Sequence, residues 1–379
     1  MHRCHSLLSL YLAFLLSLSF QTLSAGDDLV FFGTYSRKGD SKGIYVSKFN
    51  PSDGTLSAAE VAAEAADPSF LEIAPSGKEL YSVERSEDFD GAGAVAAYKI
   101  ADSGILTLLN REASGGEGPC HVSLSPDGES VAVANYGSGS VASYRVGVDK
   151  VVSEAVSTIQ HEGSSVDERR QGGPHAHSIN FSHDGKFAYA ADLGADKIFV
   201  YSVNPETSEL TSAGEVQIKA GSGPRHFCFR PDGKFAYVIN EMALTVTAFR
   251  VDSATGGLDA LQTISTLPAG TGEMGSTAEV VCHPSGKFLY GSNRGHDTIV
   301  VYSIDEESGR LTWIENEPIQ GETPRNFAVH PSGKWLLAAG QKSNTVSVFA
   351  IDQASGELAY TGNQIEVFSP VCIRFLERN

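Results

Sequence analysis

The sequence predicts an all-β fold, a propeller of seven four-stranded antiparallel blades, on three observations. A turn of the Pro-Asp/Ser-Gly-Lys type recurs six times, short alternating apolar segments flank each copy, and an unpaired pair of strands near the amino end finds its missing partner at the carboxyl end. The turns are Pro75-Ser76-Gly77-Lys78, Pro126-Asp127-Gly128-Glu129, His183-Asp184-Gly185-Lys186, Pro231-Asp232-Gly233-Lys234, Pro284-Ser285-Gly286-Lys287 and Pro331-Ser332-Gly333-Lys334, with glycines 51, 57, 48, 53 and 47 residues apart. A period near 50 residues is that of a propeller blade.

Each element follows from its residues. Before a turn stands a segment such as Phe227-Cys228-Phe229 or Phe327-Ala328-Val329, and after it one such as Phe235-Ala236-Tyr237-Val238, so turn and flanks make a hairpin. A third strand follows in Val95–Tyr98, Ile198–Tyr201, Val246–Phe249, Ile299–Tyr302 and Val346–Phe349, and a glycine-containing turn leads to a fourth. Leu29–Phe32 and Gly43–Phe49 read as second and third strands with no first strand ahead of them. Val371-Cys372-Ile373-Arg374-Phe375 supplies it, closing the ring without a free sheet edge.

Residues 1–25 differ from the rest: His2, Arg3 and His5 precede an apolar run from Leu7 to Phe20, and Leu23-Ser24-Ala25 offers a cleavage site. This predicts a signal peptide, an exported (periplasmic or secreted) product and a single propeller domain over 26–379, with no membrane attachment after cleavage. Acidic residues outnumber basic ones 46 to 28, and a formal charge of −18 excludes a general nucleic-acid binder. The four cysteines beyond the leader, Cys120, Cys228, Cys282 and Cys372, lie far apart in apolar segments and are expected to be buried and unpaired. A monomer is the default expectation.

Ring symmetry turns alignment into location. Six residues before the first residue of each turn stand Ser69, Cys120, His177, Arg225, Ala278 and Arg325, followed by Phe70, His121, Ser178, His226, Glu279 and Asn326. Seven and eight residues after each turn glycine stand Glu84-Arg85, Asn135-Tyr136, Asp192-Leu193, Asn240-Glu241, Asn293-Arg294 and Gly340-Gln341. Both sets border the central funnel at one rim. Arginines Arg85, Arg225, Arg294 and Arg325, histidines His121, His177 and His226, and carboxylates Glu84, Glu241 and Glu279 thus converge from different blades. Inward arginines suit a carboxylate or phosphate, and a His with a Glu beside them can move protons.

Other signals are weaker. Gly39-Asp40-Ser41-Lys42-Gly43 matches a nucleophile elbow but joins two strands, where that elbow needs a helix after it. His175 and His177 lack a third metal ligand, and the oxygen-rich column Glu84, Asn135, Asp192, Asn240, Asn293 reads more economically as turn-forming side chains than as a cation ring. No phosphate loop or dinucleotide fingerprint is present, and neither cofactor nor metal is expected.

The segments Gly163-Ser164-Ser165-Val166, Arg169-Arg170-Gln171, Pro174-His175-Ala176-His177-Ser178, Ala191-Asp192-Leu193-Gly194-Ala195-Asp196-Lys197, Gly223-Pro224-Arg225-His226 and Asn293-Arg294-Gly295 carry a family resemblance. Over nearly the whole chain after the leader, from Phe31 to Phe375, it resembles the seven-bladed lactonase family of 6-phosphogluconolactonases and fungal carboxymuconate-cyclising enzymes. The resemblance implies a lactone hydrolase with a site of His177, Arg225, Glu241 and Arg294. The arginines would grip an anionic lactone or carboxylate substrate, and Glu241 or His177 would activate water; Arg325, His226, His121, Tyr136 and Arg85 would be further contacts. A signal peptide sits oddly with a cytosolic metabolite, so muconate-type lactonisation, or an exported propeller that only binds an anionic ligand or a protein partner, stand as alternatives.

Overall fold

A computed structural model of the protein describes residues 26–378 apart from Lys38, Glu87 and Glu273. The expected leader lies outside the described residues. Among them there is no helix, and the strands assemble into seven antiparallel sheets around a central channel. The innermost strands are Pro370–Leu376, Phe70–Ile73, Pro119–Leu124, Ala176–Phe181, Pro224–Phe229, Ser276–Cys282 and Pro324–Val329, in blades 1 to 7.

Blade 1 joins the two chain ends, with Leu29 paired to Leu376 and Phe32 to Ile373. Side chains lock this seam. Asp28 accepts from the Arg378 backbone N–H (2.7 Å) and bonds His330 Nε2 (2.9 Å), and Asn326 accepts from the Ile373 N–H (2.8 Å). Blade 1 departs from four continuous strands, because its outer strand is broken into Thr55–Leu56 and Glu60–Glu64. At the break the Ser57 hydroxyl accepts from Lys48 N–H while Ser57 N–H donates to Lys48 O, so a side chain replaces a rung of the ladder.

The faces between blades hold the hydrophobic core, built from aliphatic residues and fully buried tyrosines. Tyrosine hydroxyls pass from one blade to the next: Tyr237 donates to Gly309 O (3.1 Å) and Tyr290 to Gly356 O (3.0 Å). Gly309 sits at φ +70°, and a Cβ there would lie 2.1 Å from Phe235 Cδ1, so only glycine fits.

One irregularity positions the site. In six of the seven blades the ladder between innermost and second strands slips near the rim, leaving one inner-strand residue extra. Ala176 pairs with Asp192 and Ser178 with Ala191, so His177 is the bulged residue; Arg225, Arg325 and Cys120 occupy the same place in their blades. A β-bulge breaks the two-residue alternation of a strand and re-aims the extra side chain.

Candidate active site

Above the bulges lies a cavity of about 680 Å³, walled by Tyr35, Arg37, Arg85, Cys120, Tyr136, Arg170, His177, Glu241, Arg294 and Arg325 among others. The Glu241 carboxylate in this wall stands just beyond the end of strand Phe235–Asn240 and is 5% exposed. Oε2 receives Arg225 Nε and Arg294 Nη2, each at 3.0 Å, and Oε1 receives Arg170 Nη2 at 2.8 Å. Arg225 and Arg294 are tied down in turn, donating to Ala278 O (2.7 Å) and Thr277 O (2.6 Å) of blade 6.

Burial by itself would push Glu241 up, but the charges of Arg294 and Arg225, with the Arg170 hydrogen bond behind them, hold its carboxyl well below the usual carboxylate range. Burial, then Arg325 and Arg294, pull Arg225 down to about 9, which still leaves it cationic at neutral pH. Burial and the neighbouring Arg225 keep His177 well below the ordinary imidazole range, so it is neutral. Its Nδ1 lies 3.7 Å from Cys120 Sγ, a thiol that burial pushes up to about 12. The site therefore holds an ionised carboxylate, a neutral imidazole and several cations, inside a protein of net charge −18.

Comparison with known proteins agrees with this architecture. The family model for seven-bladed β-propeller lactonases matches residues 29–375. The chain belongs to this family. A 6-phosphogluconolactonase of Bacillus subtilis is 33% identical over 349 residues, covering 92% of this chain and 98% of the relative. Another of Formosa agariphila is 36% identical, covering 79% and 86%. The solved structure of a periplasmic gluconolactonase from Pseudomonas aeruginosa superposes with a TM-score of 0.86 at 35% identity, covering 92% of this chain and 99% of that one.

Within this family member, the residues singled out in the sequence are divided. His177, Glu241, Arg294, Arg325, Arg85 and Tyr136 wall the cavity. Arg225 does not reach the wall: at 2% exposure it lies behind Glu241 and holds it. His226 and His121 lie outside this wall. The His226 ring packs 5.4 Å from both His177 and His121, and the His121 ring lies tilted 4.2 Å from Phe70. Both line a second chamber of about 400 Å³ that runs down toward the Pro331 turn and includes Glu279, which bonds His226 Nδ1 at 2.8 Å. Glu84 is withdrawn into its own blade, bound to Ser82, Tyr98 and Arg111.

In the oxygen-rich column the Asn amide nitrogens are bonded, whereas Oδ1 of Asn135, Asn240 and Asn293 is buried without a hydrogen-bond partner. Asn135 donates to Ser114 O and Asn293 to Thr266 O, while Asp192 bonds His161 Nδ1 (2.7 Å) and the His175 N–H (2.7 Å). Among the described residues no group of three or more His, Cys, Asp or Glu is placed to hold a metal. Ser41 of the elbow-like motif joins two strands and shares its hydroxyl with Thr34 (2.6 Å). The four cysteines are unpaired as expected, but only Cys372 is buried; Cys120, Cys228 and Cys282 are partly exposed.

Arg170 was not among the residues picked by column. It sits on the loop between blades 3 and 4, and the signal for it was the longest interval between turn glycines, 57 residues, which makes room for that loop. Arg37 comes likewise from an inter-strand loop and pairs with Asp67.

Proposed function

We propose that this protein is an exported lactone hydrolase acting on an anionic sugar-acid lactone in the cavity above the bulges. One observation carries the reading: a buried, ionised Glu241 clasped by three arginines beside a neutral His177, at the wall of a cation-rich cavity in an acidic protein. The names of the Bacillus and Formosa relatives favour hydrolysis over lactonisation, and the periplasmic name of the Pseudomonas structure agrees with the leader-like residues 1–25.

In this reading the substrate's anionic group pairs with the wall arginines and its lactone carbonyl faces Arg294. Glu241 takes the proton of the attacking water. His177, whose own basicity burial and Arg225 lower, orients the water in this reading. Negative charge grows on the carbonyl oxygen as water adds, and a guanidinium already fixed by Thr277 O stabilises it without reorganising. The ring C–O bond then breaks, the departing oxygen takes the proton back from Glu241, and a hydroxy acid remains.

The test is acid release from 6-phosphoglucono-δ-lactone and glucono-δ-lactone above the spontaneous rate, with the wild type and Glu241→Gln, with and without chelator. Acceleration that depends on Glu241 and survives chelation supports the reading. Acceleration unchanged in Glu241→Gln, or none with either lactone, overturns it in favour of lactonisation or simple binding.

A further inference from the structure

The three arginines on Glu241 are not equivalent. Arg225 and Arg294 share Oε2, and each is anchored a second time to a backbone carbonyl of blade 6. Oε1 belongs to Arg170, whose side chain is 42% exposed and whose other anchor is a 3.1 Å bond to the Tyr136 hydroxyl. The backbone under Arg170 is fixed, so motion is confined to the side chain. Asp167 Oδ1 accepts from the N–H groups of Arg169 (2.9 Å) and Arg170 (3.1 Å), and the fully buried Gln171 donates to Leu193 O (2.9 Å).

With all three cations in place, both oxygens of Glu241 are engaged and its basicity is suppressed, a poor state for a group that must accept a proton. An anion entering a cavity walled by Arg85, Arg294 and Arg325 competes with Glu241 for Arg170, and a phosphate or carboxylate offers the guanidinium a two-point contact in place of the single bond it makes to Oε1.

We propose that Arg170 is a positioning and specificity residue, a cover on Glu241 Oε1 that the substrate's distal anionic group draws away, so that the base is uncovered when the correct lactone is bound. The proposal rests on the hydrolytic reading above. Part of the anion's binding energy thereby appears in kcat and not only in KM. The chemical step is unaltered: water's proton goes to Oε1, its oxygen to the carbonyl carbon, and the ring oxygen leaves with the proton returned.

The experiment compares wild type, Arg170→Gln and Arg170→Lys on 6-phosphoglucono-δ-lactone and neutral glucono-δ-lactone across pH, with inorganic phosphite as a separate anion. Wild type is expected to turn over the phosphorylated lactone with the higher kcat, and phosphite is expected to raise its kcat on the neutral lactone by about tenfold, equivalent to about 1.4 kcal/mol. Arg170→Gln is expected to raise kcat on the neutral lactone, lose the phosphite effect, raise KM for the phosphorylated lactone and shift the acid limb of kcat/KM to higher pH; Arg170→Lys restores part of the phosphite effect. Equal loss on both lactones with an unshifted profile overturns the proposal, as does phosphite that only inhibits wild type. A wild type that hydrolyses neither lactone overturns the hydrolytic reading itself, and this inference with it.

Discussion

Replacing Glu241 by Gln keeps the volume and one acceptor but leaves Arg225, 2% exposed, and Arg294 without a counter-charge. Removing one partner of a buried ion pair costs about 3–5 kcal/mol, because the remaining charge stays desolvated. Arg170, partly exposed, adds less to this. With an unfolding entropy of about 2.1 cal/mol/K per residue over about 350 residues, each kcal/mol moves Tm by about 1.4 °C, so Glu241→Gln should lower Tm by about 4–7 °C at pH 7. The double variant Arg225→Met with Glu241→Leu, which removes the Arg225 charge and leaves only Arg294 unpaired, should recover part of that loss. The pH dependence has a definite sign. A carboxyl held below its ordinary value of 4.5 stabilises the fold above that pH and loses the contribution as pH falls below it, so the Tm gap between wild type and Glu241→Gln should be full at pH 7 and narrow below about pH 4.5. Calorimetry at several pH values decides the matter. A Tm within 1 °C of wild type at pH 7, or a double variant no better than Glu241→Leu alone, would refute the three-arginine clasp.

Burial holds the Cys120 and Cys282 thiols at about 12 and Cys372 at about 11, so iodoacetamide at pH 8 should leave the native protein at its starting mass and add four adducts to the leaderless chain once it is denatured; a disulfide-linked mass would contradict this. Gly309→Ala should cost about 1–3 kcal/mol in urea unfolding, since its Cβ meets Phe235; an unchanged midpoint would show that the ring yields. A stop codon after Ser369 removes Pro370–Leu376 and should give an aggregating product in size-exclusion chromatography, and a monodisperse species with a cooperative melt would show that a ring lacking one innermost strand suffices.

Most of the architecture was legible because a propeller repeats its signals: six turns, alternating flanks, and Val371–Phe375 matched to the bereft strands at the other end. The rim columns identified which residues approach the channel. They did not separate depth, because two neighbours in sequence, Arg225 and His226, both face inward, one upward behind Glu241 and the other into the lower chamber. That needs the bulge, a backbone register slip with no sequence pattern of its own here. Columns were also blind to Arg170, since a loop outside the repeat has no counterpart in other blades. Glu84 misled for a further reason: its column position matches the rim, but Arg111, from the outer strand of its own blade, draws it away.

The seam in blade 1 also dictates an order of assembly. Asp28–Thr34 is among the first segments of the propeller to be synthesised, and its inner neighbour is the last. Until Leu376 has emerged, the growing chain carries a strand with one unpaired side, and the clasp of Asp28, His330 and Arg378 has only part of its members. A chain cut short by a nonsense codon or an early protease is thus marked as incomplete by an open edge, which quality-control machinery can recognise without reading the site at all.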